Sequence, residues 1–170
     1  VFDISETLEF TTDMIVGDVT IDGAFNMNVS TSTEIAFDLF SGWNWFSINV
    51  IGEDMSLDAV LASLDASEGD YIKGQSGYAD YYPAFGWYGT LEEISVTEAY
   101  KIDLQLASTV QFSGMEIDLA NTPVEVAAGW NWISYLPQGT LDINVALSSL
   151  EEVLVEGDYI KGQSGYADYY

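Results

Sequence analysis

The chain has 170 residues, of which 28 are acidic and only three are basic, so its formal net charge is −25 at pH 7. This balance excludes binding to nucleic acids and to anionic membrane surfaces, because contacts to phosphate groups require lysine and arginine. Cysteine and histidine are absent, which excludes disulfides, thiolate metal sites and the usual nucleophile–base pairs of hydrolases.

A tandem repeat organises the chain. Residues 69–82 recur without a change as residues 157–170, and Gly42-Trp-Asn-Trp45 recurs as Gly129-Trp-Asn-Trp132. A period of almost half the chain indicates a small domain rather than one turn of a solenoid. We therefore predict a mainly β fold with two tandem β-sandwich-like repeat domains, each with one short α-helix. The predicted boundaries are 1–93 for the first repeat unit and 94–170 for the second.

The β-rich start, residues 1–29, corresponds to the half of a unit that follows the tyrosine-rich peptide. Its residues 4–14 align in register with residues 94–104, with isoleucine, serine, threonine and aspartate at matching positions. We expect the second unit to be completed by the start of another copy, or by a continuous longer polypeptide. Head-to-tail contact does not close on itself and gives a fibre. The residues predicted to carry self-assembly are Val1, Phe2, Ile4, Leu8, Phe10, Tyr159, Ile160, Tyr166, Tyr169 and Tyr170.

A strand and a short helix come next in each unit. The Gly-Trp-Asn-Trp motif runs into large apolar residues at alternating positions, which predicts a central strand that is buried on both faces. Apolar residues at positions 57, 60, 61 and 64 predict a short amphipathic helix, and residues 141–150 repeat this pattern. Ser56 and Asp142 occupy the matching N-cap positions.

The tyrosine-rich peptide predicts a β-hairpin. Residues 70–73 and 78–82 are two strands, and Gly74-Gln-Ser-Gly77 between them is typical of a turn. A further short strand is predicted at residues 86–89. Residues 94–106, 109–114 and 117–126 then predict a β meander.

Aromatic residues make up 14% of the chain and suggest two interpretations. An exposed aromatic row would stack on the C–H faces of sugars, and its predicted glycan-binding members are Tyr78, Tyr81, Tyr82, Trp87 and Tyr88. Aromatic residues of small β domains more often belong to the core, which is the competing interpretation.

Acidic residues recur at equivalent positions of the two units. Asp70 and Asp80 match Asp158 and Asp168, and hard oxygen ligands with surplus negative charge favour calcium. These four are the candidate metal ligands, and calcium is the one cofactor that the sequence leaves open. Two carboxylates could also serve a glycosidase, but acids are so frequent here that such a pair carries little weight. No catalytic residue is predicted, and we expect a protein without enzymatic activity.

The motifs resemble a known repeat. Gly-Trp-Asn-Trp-Ile-Ser-Tyr from residue 129, Gly-Asp-Tyr-Ile-Lys-Gly-Gln-Ser-Gly from residue 157 and Gly-Trp-Tyr-Gly-Thr-Leu from residue 86 resemble a module of large secreted, cell-surface proteins of Bacteroidetes and related marine bacteria, often exported by the type IX system. The module usually has Pro-Gly-x-Gly-Tyr where this chain has Val-Thr-Glu-Ala-Tyr, so this turn is expected to differ. The resemblance implies an extracellular location and no catalytic role.

The resulting expectation is an extracellular structural or adhesion repeat unit that assembles head-to-tail into a surface filament or stalk. The alternatives are a carbohydrate-binding module of a secreted protein and, second, a glycosidase-like enzyme. The expected partners are other copies of the chain and, for the first alternative, surface polysaccharide. Nucleic acid and membrane insertion are not expected.

Overall fold

The computed structural model describes residues 32–170. Their regular structure is mostly strand, with two four-residue helices and one 3-10 helix, Ser148–Leu150. The strands are β1 (Ser32–Leu39), β2 (Gly42–Phe46), β3 (Val50–Ile51), β4 (Tyr71–Lys73), β5 (Tyr78–Tyr82), β6 (Gly86–Gly89), β7 (Tyr100–Leu104), β8 (Ser108–Glu116), β9 (Tyr159–Lys161) and β10 (Tyr166–Asp168), and the helices are α1 (Leu57–Val60) and α2 (Ile143–Ala146). No helix in these residues is long and apolar enough to cross a membrane.

Two antiparallel sheets enclose the core of the first repeat. One has the order β1-β8-β3 and the other has the order β2-β7-β4-β5-β6. A single apolar cluster draws on both sheets and on α1, with Val50, Val60, Ile72, Ile102 and Val110 fully buried. The predicted mainly β, sandwich-like class is confirmed for the described residues.

The predicted N-caps are confirmed, although the helices are shorter than the apolar pattern suggests. Ser56 Oγ accepts a hydrogen bond from the N–H of Ala59 at 3.3 Å, and the Asp142 carboxylate accepts one from Asn144 at 2.9 Å. After α1 the chain continues in turns, yet Leu61 remains buried. The apolar spacing therefore marks a buried face over a longer stretch than the helix itself.

Strand β7 lies between β2 and β4, which bears on the predicted unit boundary. Ile102 is paired with Asn44 on one side and with Ile72 on the other. A boundary between residues 93 and 94 therefore passes through one packed unit, because strands from both sides of it share a sheet. Residues 117–126, predicted as a strand, contain none.

The Gly-Trp-Asn-Trp prediction of a central strand buried on both faces is wrong. Strand β2 is at the edge of its sheet, and the side chain of Trp43 is 45% exposed. The buried residues of this strand are Asn44 and Phe46, which point to the core. In the second copy Trp130 is also exposed, and its segment belongs to none of the named strands.

Among residues 32–170, fewer strands surround the hairpin of the second repeat than that of the first. Strands β9 and β10 pair only with each other among the described residues, whereas their counterparts β4 and β5 are flanked by β7 and β6. The side chains show the difference: Ile72 and Ala79 are fully buried, but Ile160 and Ala167 are only partly buried. Within residues 32–170 the same peptide thus has a strand on each side of its hairpin in one copy and none in the other.

Candidate functional site: the contact between the two repeats

The Gly-Trp-Asn-Trp motif builds the same turn in both repeats. Asn44 accepts a hydrogen bond from the N–H of Phe40 at 2.8 Å and donates to its carbonyl at 2.7 Å. Asn131 makes the same pair of bonds with Ala127, at 3.0 and 2.7 Å. The glycine that opens each motif has a φ of +89° or +98°, in the left-handed region that favours glycine. This turn fixes the direction of the two tryptophans that follow.

The hairpin turn of the first repeat holds the backbone of the second. Gln75 lies between β4 and β5, in the turn predicted from the sequence. Its Nε2 donates to the carbonyl oxygen of Trp130 at 3.0 Å, and its Oε1 accepts the N–H of Trp132 at 2.7 Å. One side-chain amide thereby satisfies two backbone groups at an unpaired edge.

The second repeat returns the same contact. Gln163, the counterpart of Gln75, donates to the carbonyl oxygen of Trp43 at 3.0 Å and accepts the N–H of Trp45 at 2.7 Å. The contact is reciprocal, as in an isologous two-fold interface. We call these two glutamines and the four tryptophans they hold the inter-repeat seam.

A lysine lies between tryptophans of the two repeats. The ammonium nitrogen of Lys101 is 4.0 Å from the ring centroid of Trp45 and 4.2 Å from that of Trp132. Such cation–π contacts gain strength when the site is shielded from water. Burial lowers the pKa of Lys101, and the charges of Lys73 and Lys161 lower it further. The two indole rings thus stabilise the positive charge of Lys101, which burial and the two neighbouring lysines disfavour.

The other two lysines also contact seam tryptophans. Lys73 lies 4.8 Å from the ring centroid of Trp43, and Lys161 lies 5.9 Å from that of Trp45. All three basic residues of the chain therefore meet tryptophan rings at one place. The seam is the part of the described surface where this acidic protein concentrates its positive charge.

Backbone pairing extends the seam. Ala99 donates to the carbonyl of Trp132 at 3.1 Å, and Ser134 donates to the carbonyl of Thr97 at 3.3 Å, so two chain segments pair across the repeats. These two hydrogen bonds lie on either side of an isolated antiparallel bridge between residues 98 and 133. Further hydrogen bonds join Asn49 to Pro137, Gln138 to Asn49, and Tyr135 to Ser47.

The five predicted glycan-binding residues do not form one row. Tyr78, Tyr82 and Tyr88 lie on the outer face of the five-stranded sheet and are exposed. Tyr81 and Trp87 lie on the opposite face, where their rings meet edge to face at 5.3 Å and Trp87 packs against the core. Because adjacent residues of a strand point to opposite faces, a continuous run of aromatic residues cannot serve a single surface.

Tyr71 and Trp43 belong to the outer aromatic face but were missed in the sequence. The rings of Tyr71 and Tyr78 stack with their centroids 5.9 Å apart, and Trp43 meets Tyr71 edge-on at 6.0 Å. Burial and the neighbouring Asp80 raise the pKa of Tyr71. The pairing of β4 with β5, and with it the face of Tyr71, could have been inferred from the turn. The position of Trp43 beside Tyr71 could not, because β7 lies between their two strands.

The four candidate metal ligands are not brought together. Asp70 is buried and accepts hydrogen bonds from two backbone N–H groups at 2.8 and 2.7 Å. Asp80 lies on the other face of the sheet, and strand alternation separates Asp158 from Asp168 in the same way. Neither pair is placed to share a cation or to flank a glycosidic bond. Within residues 32–170 no group of three acidic side chains is arranged to hold a metal ion.

The predicted self-assembly residues fall in two sets. Val1, Phe2, Ile4, Leu8 and Phe10 lie outside the described residues. In the C-terminal set the side chains of Tyr159, Tyr166 and Tyr170 are exposed, and those of Ile160 and Tyr169 are partly buried. The ring of Tyr159 meets that of Trp130 edge-on at 5.0 Å, which repeats the contact between Tyr71 and Trp43.

Comparisons with family models, with curated proteins and with solved structures gave no match. The role of the seam is therefore inferred from its own geometry. Sequence reasoning did not identify Gln75 and Gln163 as functional residues, although both belong to the peptide that recurs unchanged. The available signal in the sequence was that a glutamine occupies the same place in both turns and that the Gly-Trp-Asn-Trp motif also recurs.

Proposed function

We propose that the chain is a structural repeat module of an extracellular, cell-surface protein, in which neighbouring repeats lock together into a stiff stalk or filament. The observation that carries this proposal is the reciprocal seam, where Gln75 and Gln163 hold equivalent tryptophan segments with hydrogen bonds of equal length. A random contact between two domains would not match position for position. A contact of this kind instead suits a surface that a repeat presents to its neighbour.

Covalent linkage makes such a seam effective. Each of its four glutamine hydrogen bonds has a net worth of about 0.5–1.5 kcal/mol, which is too little to join separate molecules against the entropy of association. Two repeats on one chain meet at a high effective concentration, so modest contacts suffice to hold them. The seam is therefore suited to fixing the angle between repeats of one polypeptide.

The charge and the resemblance support the extracellular part of the proposal. A net charge of −25 keeps long arrays soluble and apart from one another, and salt outside a cell would screen the repulsion within each array. The motifs resemble those of secreted, cell-surface repeat proteins. Together these features favour a spacer or adhesion stalk over a soluble catalyst.

Pulling on single molecules tests the mechanical role. The protein is stretched from its two ends, and we expect a first event in which the seam opens, followed by unfolding of the first repeat at higher force. In the Gln75→Ala/Gln163→Ala variant the first event should move to lower force, because both side-chain amides that hold the seam are gone.

The matched control is Ser76→Ala/Ser164→Ala, which changes the neighbouring residues of the same two turns. It should leave both events in place, since no hydrogen bond of the seam involves these hydroxyls. A wild-type trace without a separate opening event, indistinguishable from that of the glutamine variant, would contradict the structural role.

A carbohydrate-binding module is the second candidate. Tyr78, Tyr82 and Tyr88 are exposed on one sheet face, and Asp80 lies opposite Tyr88 in the neighbouring strand. Aromatic rings with an adjacent carboxylate suit a neutral polysaccharide. A glycan array read with the protein and with Tyr88→Ala tests this. Binding that the variant loses would favour the carbohydrate role, and Phe85→Ala, an exposed site outside this group, is the control.

A further inference from the structure

The outer face of the five-stranded sheet carries only aromatic and charged side chains. Adjacent residues of a strand point to opposite faces, so the residues that alternate with the buried core positions form this face. They are Trp43, Trp45, Tyr71, Lys73, Tyr78, Asp80, Tyr82, Tyr88, Lys101 and Asp103. Aspartate and lysine are depleted at the centre of protein–protein interfaces, so this composition does not favour a protein partner.

Five of these residues form one row across all five strands. The strand register sets Trp43 opposite Asp103, and Asp103 opposite Tyr71. The row continues with Tyr71 opposite Asp80, and with Asp80 opposite Tyr88. Aromatic rings and carboxylates therefore alternate from one edge of the sheet to the other. We call these five residues the ring–carboxylate row.

The two carboxylates of the row have free capacity to accept hydrogen bonds. Asp103 and Asp80 are half-buried between their aromatic neighbours, and within residues 32–170 neither accepts a hydrogen bond or forms an ion pair. An ionised carboxylate has room for about four hydrogen bonds. A ligand that brings O–H groups to the row would therefore gain short, charge-assisted hydrogen bonds.

A lysine beside the row supplies donors. Lys73 lies opposite Tyr78 in the neighbouring strand, and its ammonium nitrogen is 4.8 Å from the ring centroid of Trp43. The face can thus both accept and donate hydrogen bonds, and a hydroxyl group is itself both a donor and an acceptor. A sugar combines hydroxyl groups on its rim with C–H groups on its faces, which suits carboxylates, an ammonium group and aromatic rings together.

Charge and length narrow the class of sugar. The net charge of −25 opposes polysaccharides that carry sulfate or carboxylate groups. The row crosses four interstrand spacings, which is roughly 19 Å. A chain of several sugar units can cover this length, whereas a single sugar cannot. Both ends of the row are open to such a chain, because Trp43 and Tyr88 are exposed.

We propose that the ring–carboxylate row binds an uncharged polysaccharide that lies across the strands, from Trp43 to Tyr88. Sugar faces stack on the rings, and hydroxyl groups donate to Asp103 and Asp80 between them. The inference rests on the carbohydrate-binding candidate and deepens it, because it sets the direction of the ligand and extends the site to the opposite edge of the sheet. The seam holds Trp43 by its backbone carbonyl, so its ring remains available to the row.

Affinity electrophoresis tests the proposal. The protein is run in native gels that contain a neutral polysaccharide, either a β-glucan, a xylan, a mannan or an α-glucan, and in a gel that contains alginate, which is anionic. We expect at least one neutral polysaccharide to retard the protein and alginate not to do so. Oligosaccharides of the retarding polymer should compete, and its disaccharide should compete far less well than a longer oligomer, because it covers only part of the row.

The carboxylates are tested with substitutions that preserve side-chain size. Asp103→Asn and Asp80→Asn remove the charge of the two acceptors. Each should weaken binding about tenfold, as expected for the loss of one hydrogen bond to a charged group. Urea midpoints close to that of the wild type show that the variants are folded, so a loss of retardation reports on the row itself.

The rings at the two ends test the direction of the ligand. Trp43→Ala and Tyr88→Ala should each weaken binding several-fold, because a ligand that crosses the sheet meets both. The matched controls are Phe40→Ala and Phe85→Ala, which remove exposed rings from the turns before β2 and before β6. Gln163→Ala loosens the segment of Trp43 through its backbone only, and it should bind like the wild type.

Three results would overturn the inference: no retardation by any of the neutral polysaccharides, equal retardation by alginate, or wild-type binding by Trp43→Ala and Asp103→Asn. If Tyr88→Ala alone loses binding, the carbohydrate-binding candidate stands but its site is confined to one end of the sheet, and the row is refuted. The pulling experiment involves no polysaccharide, so the structural role is decided separately.

Discussion

The glutamines of the seam allow a quantitative prediction. Gln75→Ala removes two hydrogen bonds to backbone groups, to Trp130 and Trp132. Each bond contributes about 0.5–1.5 kcal/mol net, and water can replace part of it at this exposed site. We therefore expect the seam to lose about 1–2 kcal/mol. Gln163→Ala removes the equivalent pair of bonds and should cost the same amount.

The double variant distinguishes one seam from two independent contacts. Independent sites add within about 0.3–0.5 kcal/mol, whereas residues that share a partner do not. If the loss of Gln75 already separates the repeats, then Gln163 has less left to hold. The double variant should therefore lose less stability than the two single variants together.

Urea unfolding followed by tryptophan fluorescence measures these changes, because the four tryptophans of the seam report its opening directly. Ser76→Ala and Ser164→Ala are the controls, and a surface change away from contacts should stay within about 0.5 kcal/mol. The reasoning would be refuted if the glutamine variants were no less stable than these serine variants. If the losses of the two single variants add up strictly in the double variant, the coupling between the two glutamines is refuted, but the contribution predicted for each glutamine still holds.

Three further predictions concern the rest of the molecule. Ile72→Ala should cost about 2–5 kcal/mol in urea unfolding because its side chain is fully buried, whereas Ile160→Ala should cost clearly less because its side chain is only partly buried; equal losses would contradict the difference in packing. Burial, aided by Glu98, raises the pKa of Tyr100 to about 12 from 10.0, so its contribution to stability is complete below pH 10 and is lost as the pH rises towards 12. Tyr100→Phe should remove this part of the alkaline loss in urea midpoints measured across that range. The melting temperature should rise with added NaCl or CaCl₂ because screening and bound cations relieve a net charge of −25, and a midpoint insensitive to both would contradict this.

Local features of the fold could be predicted from the sequence. The turn that contains Gln75 closes with a hydrogen bond from the N–H of Gly74 to the carbonyl of Gly77, as its composition indicates. The caps at Ser56 and Asp142 form where the sequence places them. These features depend on residues only a few positions apart, so short-range stereochemistry decides them.

Long-range pairing could not be predicted in the same way. The insertion of β7 between β2 and β4 joins residues about thirty to sixty positions apart, and this pairing places the Gly-Trp-Asn-Trp strand at an edge. The faces of Asp70 and Asp80 also depend on register, because a shift of one residue exchanges the two faces of a strand. Apolar residues on both sides of β2 suggested burial, but one side meets the other repeat instead of the core.

The distribution of lysine explains why that second side is rich in tryptophan. In a chain with 28 acidic residues, an ammonium group has carboxylates available almost everywhere, yet all three lysines contact indole rings at the seam. An exposed ion pair contributes little and weakens further in salt. A cation between two ring faces, such as Lys101 between Trp45 and Trp132, is partly shielded from water and therefore less exposed to screening. For the stalk that we propose, a cation held between ring faces would therefore weaken less in salt than an exposed ion pair would.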